Sequence, residues 1–371
     1  MSKKFKKKLL FTPGPLNTSD TTKKSVLSDW GSRDVDFIRI NKTLMSNILR
    51  LGNANNEYVC LPIQGSGTFG LEATLSTLLN YKSKILILSN GVYGNRIIDI
   101  CKRIGKRFLT LKFNEDSLIN INKIKETIAK NKTISHIALV HCETSSGILN
   151  PLKEISLICK KFKKKLIVDA MSSFGGININ IKKYNIEALV SSANKCLEGI
   201  PGFSFSIIKK SSLSKSKNNS TSLSLDLYDQ WKGFEKNNQW RFTPPTHAIV
   251  ALSSALQQLK KEGGINKRNA RYRKNYSILL SGMKKMGFNC FLNEELHSPI
   301  IVSFFIPKNL NFKFLYNKLS NLGFVIYPGS VTSKKTFRIG CIGNIYPNDI
   351  KMLLLAIKNI IKKKRIKHLS N

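Results

Sequence analysis

The sequence predicts an α/β fold: a mostly parallel seven-stranded sheet with helices on both faces, plus a smaller α+β C-terminal domain. Seven short apolar runs rich in β-branched residues lie between residues 58 and 210, and stretches with helical spacing separate them. Polar or acidic residues close several of the runs, as expected of strands whose carboxyl ends face a ligand. At 371 residues and 42% hydrophobic content, the chain can bury one large core and a second, smaller one.

The chain opens on the basic run Lys3-Lys4-Phe5-Lys6-Lys7-Lys8 before Leu9-Leu10-Phe11. Its apolar part is too short for a secretory segment, and Pro13-Gly14-Pro15 follows at once, so residues 1–15 are expected to form an N-terminal arm. Residues 16–250 read as the large domain. Its strands are expected at 58–63, 85–89, 108–113, 136–141, 166–169, 188–192 and 203–208, with helices such as 71–79 and 155–162 between them. Gln64, Asn90, Thr144, Asp169 and Lys195 each sit at or just beyond a strand end. The stretch 211–224, rich in Ser, Lys and Asn, reads as an exposed loop. A long amphipathic helix from Thr246 leads into the small domain, residues 251–371, with strands expected at 288–292, 300–305, 324–327 and 337–341. A helix over 347–363 closes it. Met352-Leu353-Leu354-Leu355 and the lysines after it admit a membrane-seeking reading, but packing on the small sheet is preferred.

The formal net charge of +39 raises the alternative of a basic nucleic-acid-binding protein. Its texture points elsewhere, because the lysines are scattered over the whole length. No run of eighteen apolar residues occurs, so no membrane span is expected. Seven cysteines at irregular spacing, without a C-x-x-C pair, suit a reduced cytoplasmic protein with neither a metal site nor a disulfide framework.

Gly65-Ser66-Gly67-Thr68-Phe69-Gly70 has the G-x-G-x-x-G form and lies between a strand and a helix. A dinucleotide site also needs an acid closing the next strand, to hold a ribose. Here that strand ends in Ser89-Asn90-Gly91. The loop therefore reads as a phosphate cradle for a smaller ligand, built from the amides and hydroxyls of Ser66, Gly67 and Thr68 at a helix N-terminus. Asp169 ends the run Leu166-Ile167-Val168-Asp169, and Lys195 follows the next strand in Ser191-Ser192-Ala193-Asn194-Lys195-Cys196. This acid and this lysine suit pyridoxal phosphate. The lysine would hold the cofactor as a Schiff base, and the carboxylate would keep the ring nitrogen protonated.

With these residues in hand, the chain resembles the class V aminotransferases of the fold-type I pyridoxal phosphate-dependent superfamily, from Phe11 to about Ile361. The resemblance is carried by Thr12-Pro13-Gly14-Pro15-Leu16, Gln64-Gly65-Ser66-Gly67, Ser89-Asn90-Gly91-Val92-Tyr93-Gly94, the segment around Lys195 and Phe337-Arg338-Ile339-Gly340. Asp169-Ala170-Met171-Ser172-Ser173-Phe174-Gly175-Gly176, Ser224-Leu225-Asp226-Leu227-Tyr228 and His297-Ser298-Pro299-Ile300 narrow it to the phosphonate branch. That branch moves the amine of 2-aminoethylphosphonate to pyruvate in a ping-pong reaction. An alanine– or serine–glyoxylate aminotransferase is the alternative within the class.

The resemblance implies a role for each matching residue. Lys195 would anchor the cofactor and shuttle the proton, and Asp169 would pair with the ring nitrogen. Tyr93 and Met171 would pack on opposite faces of the ring, with Thr144 near its phenolic oxygen. Asn194 would join Ser66, Gly67 and Thr68 at the phosphate. Thr243 would reach the same phosphate from a neighbouring subunit, which implies a homodimer with shared active sites. Arg338 would clamp the acid group of either substrate.

Overall fold

In the computed structural model, residues 8–54 and 56–369 are described, with side chains described as far as Lys362. The basic positions 3–7 lie outside the described residues. In chain order the first part comprises β1 (Leu9–Leu10), α1 (Asp20–Lys24), α2 (Val35–Leu51), β2 (Tyr58–Gln64), α3 (Gly67–Leu78), β3 (Lys84–Ser89), α4 (Val92–Arg103) and β4 (Arg107–Lys112). There follow α5 (Ile121–Lys130), β5 (His136–Val140), β6 (Cys142–Glu143), β7 (Ile148–Leu149), α6 (Leu152–Lys161), β8 (Lys165–Asp169), β9 (Ile186–Ser192) and β10 (Phe203–Lys209). The rest comprises α7 (Lys210–Leu213), α8 (Leu227–Asn237), α9 (Thr246–Lys261), α10 (Gly264–Lys285), β11 (Ile301–Phe305), α11 (Phe312–Asn321), β12 (Phe324–Val325), β13 (Tyr327–Pro328), β14 (Thr336–Gly340) and α12 (Pro347–Leu369).

Seven strands form one sheet in the order β2-β10-β9-β8-β5-β3-β4. All pairings from β9 to β4 are parallel, and β10 alone runs against its two neighbours. The expected mostly parallel α/β sheet is therefore present, with every predicted run in it. Side chains alternate between two cores. Leu86, Leu88, Leu139 and Val168 face a layer that includes Phe37, Leu44 and Ile48 of α2. Ile85, Ile87, Ala138 and Ile167 face Leu71, Leu75 and Ile97 of α3 and α4. A strand covered on both faces must be apolar throughout, which is why β3 and β5 read as continuous runs. Local signals set the helix starts: the Asp34 carboxylate accepts from the Asp36 amide at 2.8 Å, and Asn120 and Asp226 cap α5 and α8 in the same way.

The small unit is a three-stranded antiparallel sheet, β11-β14-β13, backed by α10, α11 and α12 around Phe304, Phe337, Ile339, Leu315 and Leu353. The N-terminal arm joins it, since β1 lies parallel to β12 and Phe11 is fully buried there.

Several expectations differ in detail. The run 288–292 is not a strand. Its apolar character comes from Phe288, buried against Phe304 and Phe337, while Cys290 makes only an isolated bridge to Phe304. The run 324–327 splits around buried Ile326, the first half pairing with β1 and the second with β14. The stretch 211–224 is not wholly exposed. Ser212, Leu213 and Ser216 are buried, and the Ser216 hydroxyl donates to the Ser212 carbonyl at 2.9 Å, so polar side chains are satisfied locally. The expected domain boundary after residue 250 runs through α9. Leu252, Ala255, Leu256 and Leu259 of that helix pack in the large unit's core, so the chain crosses to the small unit at the turn before α10.

Candidate active site

The glycine loop forms where β2 ends. Gly65 takes φ +115°, a left-handed conformation that turns the chain into α3. Ser66 holds the N-cap position, yet its hydroxyl makes no capping bond, leaving the leading amides of α3 for an outside acceptor. A cavity of about 210 Å³ opens at this helix end, and its wall includes Ser66, Gly67, Thr68, Tyr93, Asp169, Met171, Asn194 and Lys195. Residues predicted from four separate segments thus meet at one point. A larger groove of about 560 Å³ lies between α2, β2 and α8. It carries no such cluster, so size does not mark the site.

Asp169 is the last residue of β8 and is buried. Its carboxylate accepts from the Met171 amide at 2.9 Å. Burial pushes its pKa up to about 7. The Met171 amide opposes the rise, the charge of Glu143 adds to it, and Lys195 and Arg96 reduce it. A carboxyl held in this way gains most from a cationic group placed against it.

Lys195 lies in the turn between β9 and β10, with Nζ donating to the Pro13 carbonyl at 2.9 Å. Burial pulls its pKa down to about 8; the Arg338 charge adds to this, while Cys196 and Asp169 oppose it. The arm passes so close that a Cβ on Gly14 would lie 2.5 Å from the lysine Cδ. Helix α10 fixes the turn from the other side. Arg268 donates to the Cys196 carbonyl at 3.0 Å, while Arg271 and Tyr272 donate to Glu198 Oε1 at 2.8 and 2.7 Å. Two arginines balance Glu198 and Glu262 in this buried cluster, so no charge is left unpaired.

Tyr93 lies in the first turn of α4, and a fully buried carboxylate, Glu143, accepts from the Tyr93 and Gly94 amides at 3.1 Å each. Arg338, in β14, approaches from the small unit. Its Nε donates to the Pro328 carbonyl at 3.0 Å and its Nη1 to the Thr144 carbonyl at 2.9 Å, and it also bonds the Tyr93 side chain. Burial lowers its pKa, and the bonded Tyr93 opposes this. Of the five donor hydrogens on a guanidinium, about two remain for another acceptor. Thr144 does not line the cavity, and its buried Oγ1 has no partner among the described residues. Thr243 is exposed and faces a separate groove on the outer side of the glycine loop, beside Gln64, Gly65 and Phe69.

Sequence reasoning gave no role to Glu143, Arg96, Pro13 or the Glu198 cluster. Pro13 stood inside a recognised motif, which was a usable signal; Glu143 and the Glu198 contacts had none. Cys142 also lines the cavity, but burial pushes its thiol up to about 12, so it stays protonated and is no nucleophile. His297 bonds Tyr276 at 2.9 Å and the Leu292 carbonyl at 3.2 Å, a packing role inside the small unit.

Residues 19–342 match the model of the family described as Aminotransferase class-V. A 2-aminoethylphosphonate–pyruvate transaminase of Phocaeicola vulgatus is 45% identical, the match covering 95% of this chain and 99% of that protein. One of Syntrophobacter fumaroxidans is 46% identical, with 95% of each chain covered. Among solved structures, an alanine–glyoxylate aminotransferase of Nostoc sp. superimposes with a TM-score of 0.90 at 23% identity, over 97% of each chain.

Proposed function

The chain belongs to the class-V aminotransferase family, and on that premise we propose that it moves the amino group of 2-aminoethylphosphonate to pyruvate. The products are phosphonoacetaldehyde and L-alanine, and the bound cofactor is pyridoxal phosphate. The observation that carries the substrate assignment is the 45% identity, over nearly the full length of both chains, to a relative named for these substrates. The cavity supports the cofactor. It has a helix N-terminus for a phosphate, a buried carboxyl in need of a cation and a lysine amine with a lowered pKa.

When bound, pyridoxal phosphate supplies an aldehyde that takes the amine and a ring that draws electrons from the neighbouring carbon. The chain's own residues do the rest. Ser66, Gly67, Thr68 and Asn194 hold the phosphate, and Tyr93 and Met171 fix the plane of the ring. Asp169, ionised against a protonated ring nitrogen, keeps that nitrogen charged. The Nζ of Lys195 would be the group that takes the proton from the carbon bearing the substrate amine and holds it for return. A lowered pKa lets the amine be neutral for the first transfer. Arg338, held by the Pro328 and Thr144 carbonyls, offers its remaining donors to the phosphonate in one half-reaction and to the carboxylate in the other. Thr243, exposed and off its own cavity, is read as serving the phosphate of a second copy in a homodimer.

The test is alanine formation from 2-aminoethylphosphonate and pyruvate, run beside serine and alanine with glyoxylate. Fastest turnover with the phosphonate is expected. Faster turnover of serine would overturn the donor assignment and leave transamination standing. Arg338→Lys, a point charge in place of a fork, is expected to raise KM for both 2-aminoethylphosphonate and pyruvate by about tenfold or more. A rise for one substrate alone would show that the two acids do not share this clamp.

A further inference from the structure

We propose that Arg96 is the counter-charge for the phosphate seated at residues 66–68. This deepens the pyridoxal phosphate reading and rests on it. Arg96 follows Tyr93 by one turn of α4 and lines the same cavity as the glycine loop. Its Nη1 lies 3.4 Å from the Thr68 hydroxyl, and its guanidinium carbon stands 4.8 Å from the centre of the Tyr93 ring. The side chain is therefore parked on the loop, with its planar group steadied by an aromatic face.

Charge balance gives the residue its purpose. A phosphate ester carries roughly −1.5 to −2 near neutral pH. The N-terminus of α3 contributes only about half a positive charge. Ser66, Thr68 and Asn194 donate hydrogen bonds but bring no net charge. Among the described residues on the cavity wall, the cations are Lys195 and Arg96. Lys195 is committed to the aldehyde carbon of the ligand, which its amine would take up covalently and so leave no free ammonium for the phosphate. Arg96 is the cation left for the phosphate, and a rigid fork suits phosphate oxygens better than a lysine does. The excess of 39 positive charges on the chain does not supply this charge, because those lysines are dispersed.

The experiment titrates the cofactor-free full-length protein with pyridoxal phosphate and, separately, with pyridoxal, which lacks the phosphate. Binding is followed by absorbance and by quenching of tryptophan fluorescence. Arg96→Met is expected to weaken pyridoxal phosphate binding about tenfold or more, the size of one charge-assisted hydrogen bond, and to leave pyridoxal binding unchanged. Arg96→Lys, which keeps the charge and loses the fork, is expected to fall between. Equal loss for both ligands would overturn the proposal, since Arg96 would then act only by steadying Tyr93. No loss for either would also overturn it, leaving the loop sufficient by itself. Wild-type protein that bound the two ligands equally, or neither, would overturn the cofactor reading and this proposal together. Because Arg96 is exposed, the variants are expected to keep the wild-type unfolding temperature.

Discussion

Replacing Lys195 by alanine is expected to lower alanine formation by about three to four orders of magnitude, the range of a lost general base, with the covalent attachment lost as well. The fold should survive. The lysine makes one described hydrogen bond, to the Pro13 carbonyl, and its turn is held independently by Arg268, Arg271 and Tyr272. Borohydride treatment separates attachment from mere binding. Wild-type protein should gain the mass of the reduced cofactor at Lys195, and Lys195→Ala should gain none. Labelling of a different lysine would remove Lys195 from the centre of the scheme. The pH dependence follows from the lowered pKa. Below about 8 the amine is mostly protonated, so the rate of cofactor attachment to the empty protein should rise about tenfold per pH unit and level off above 8. A break near 10.5 instead would mean that the amine is not desolvated.

Asp169→Asn is expected to have two opposite effects. Activity should fall by at least about a hundredfold, because an amide cannot hold the ring nitrogen charged. The cofactor-free protein, by contrast, should become more stable. Burial raises the folded-state pKa of Asp169 from 3.8 to about 7. Below pH 3.8 the carboxyl is protonated in the folded and unfolded chains alike, and it costs nothing. Between 3.8 and 7 the unfolded chain ionises first and folding is penalised, with the full cost present above 7. That displacement is worth roughly 4 kcal/mol at most. The unfolding temperature of Asp169→Asn should therefore exceed that of wild type by a few degrees at pH 8, and the gap should close towards pH 4. Adding pyridoxal phosphate should reverse the order, because only the ionised aspartate has a cation to meet. A destabilised, cofactor-free Asp169→Asn protein at pH 8 would show that the carboxylate is already compensated by protein groups.

The two predictions turn on the same feature. Without a ligand, the cavity holds a carboxyl that resists ionisation and an amine that resists protonation, within one buried space. Each is unfavourable for folding near neutral pH, and both are relieved by a ligand carrying a cation at one end and a carbonyl at the other. Binding and folding are then linked, and cofactor affinity includes the relief of this burial.

Much of this was legible in the residue order. The parallel strands announced themselves because a strand buried on both faces, such as Ile85-Leu86-Ile87-Leu88, admits almost nothing polar. Asp169 and Lys195 stood out because each is an ionisable group where such a run gives out. The edge of the small unit was harder to read. Phe288 is apolar for packing and not for pairing, and composition does not separate these causes. No periodicity or spacing marks Glu143 as the acceptor for the Tyr93 and Gly94 amides, because that contact forms only when the chain folds. Nothing local sets Arg96 apart from other helical arginines.

The sequence by itself determined which chemical groups the protein has and which secondary structure carries each, since burial periodicity and turn chemistry are local properties of the chain. The tertiary structure decided which groups share a volume. Pro13 meets Lys195 across 182 residues, Thr144 meets Arg338 across 194, and α10 reaches back to the lysine turn. Such meetings depend on how the sheet is ordered and how the small unit docks on it. A charge also acquires its working pKa only when other parts of the chain have taken away its water.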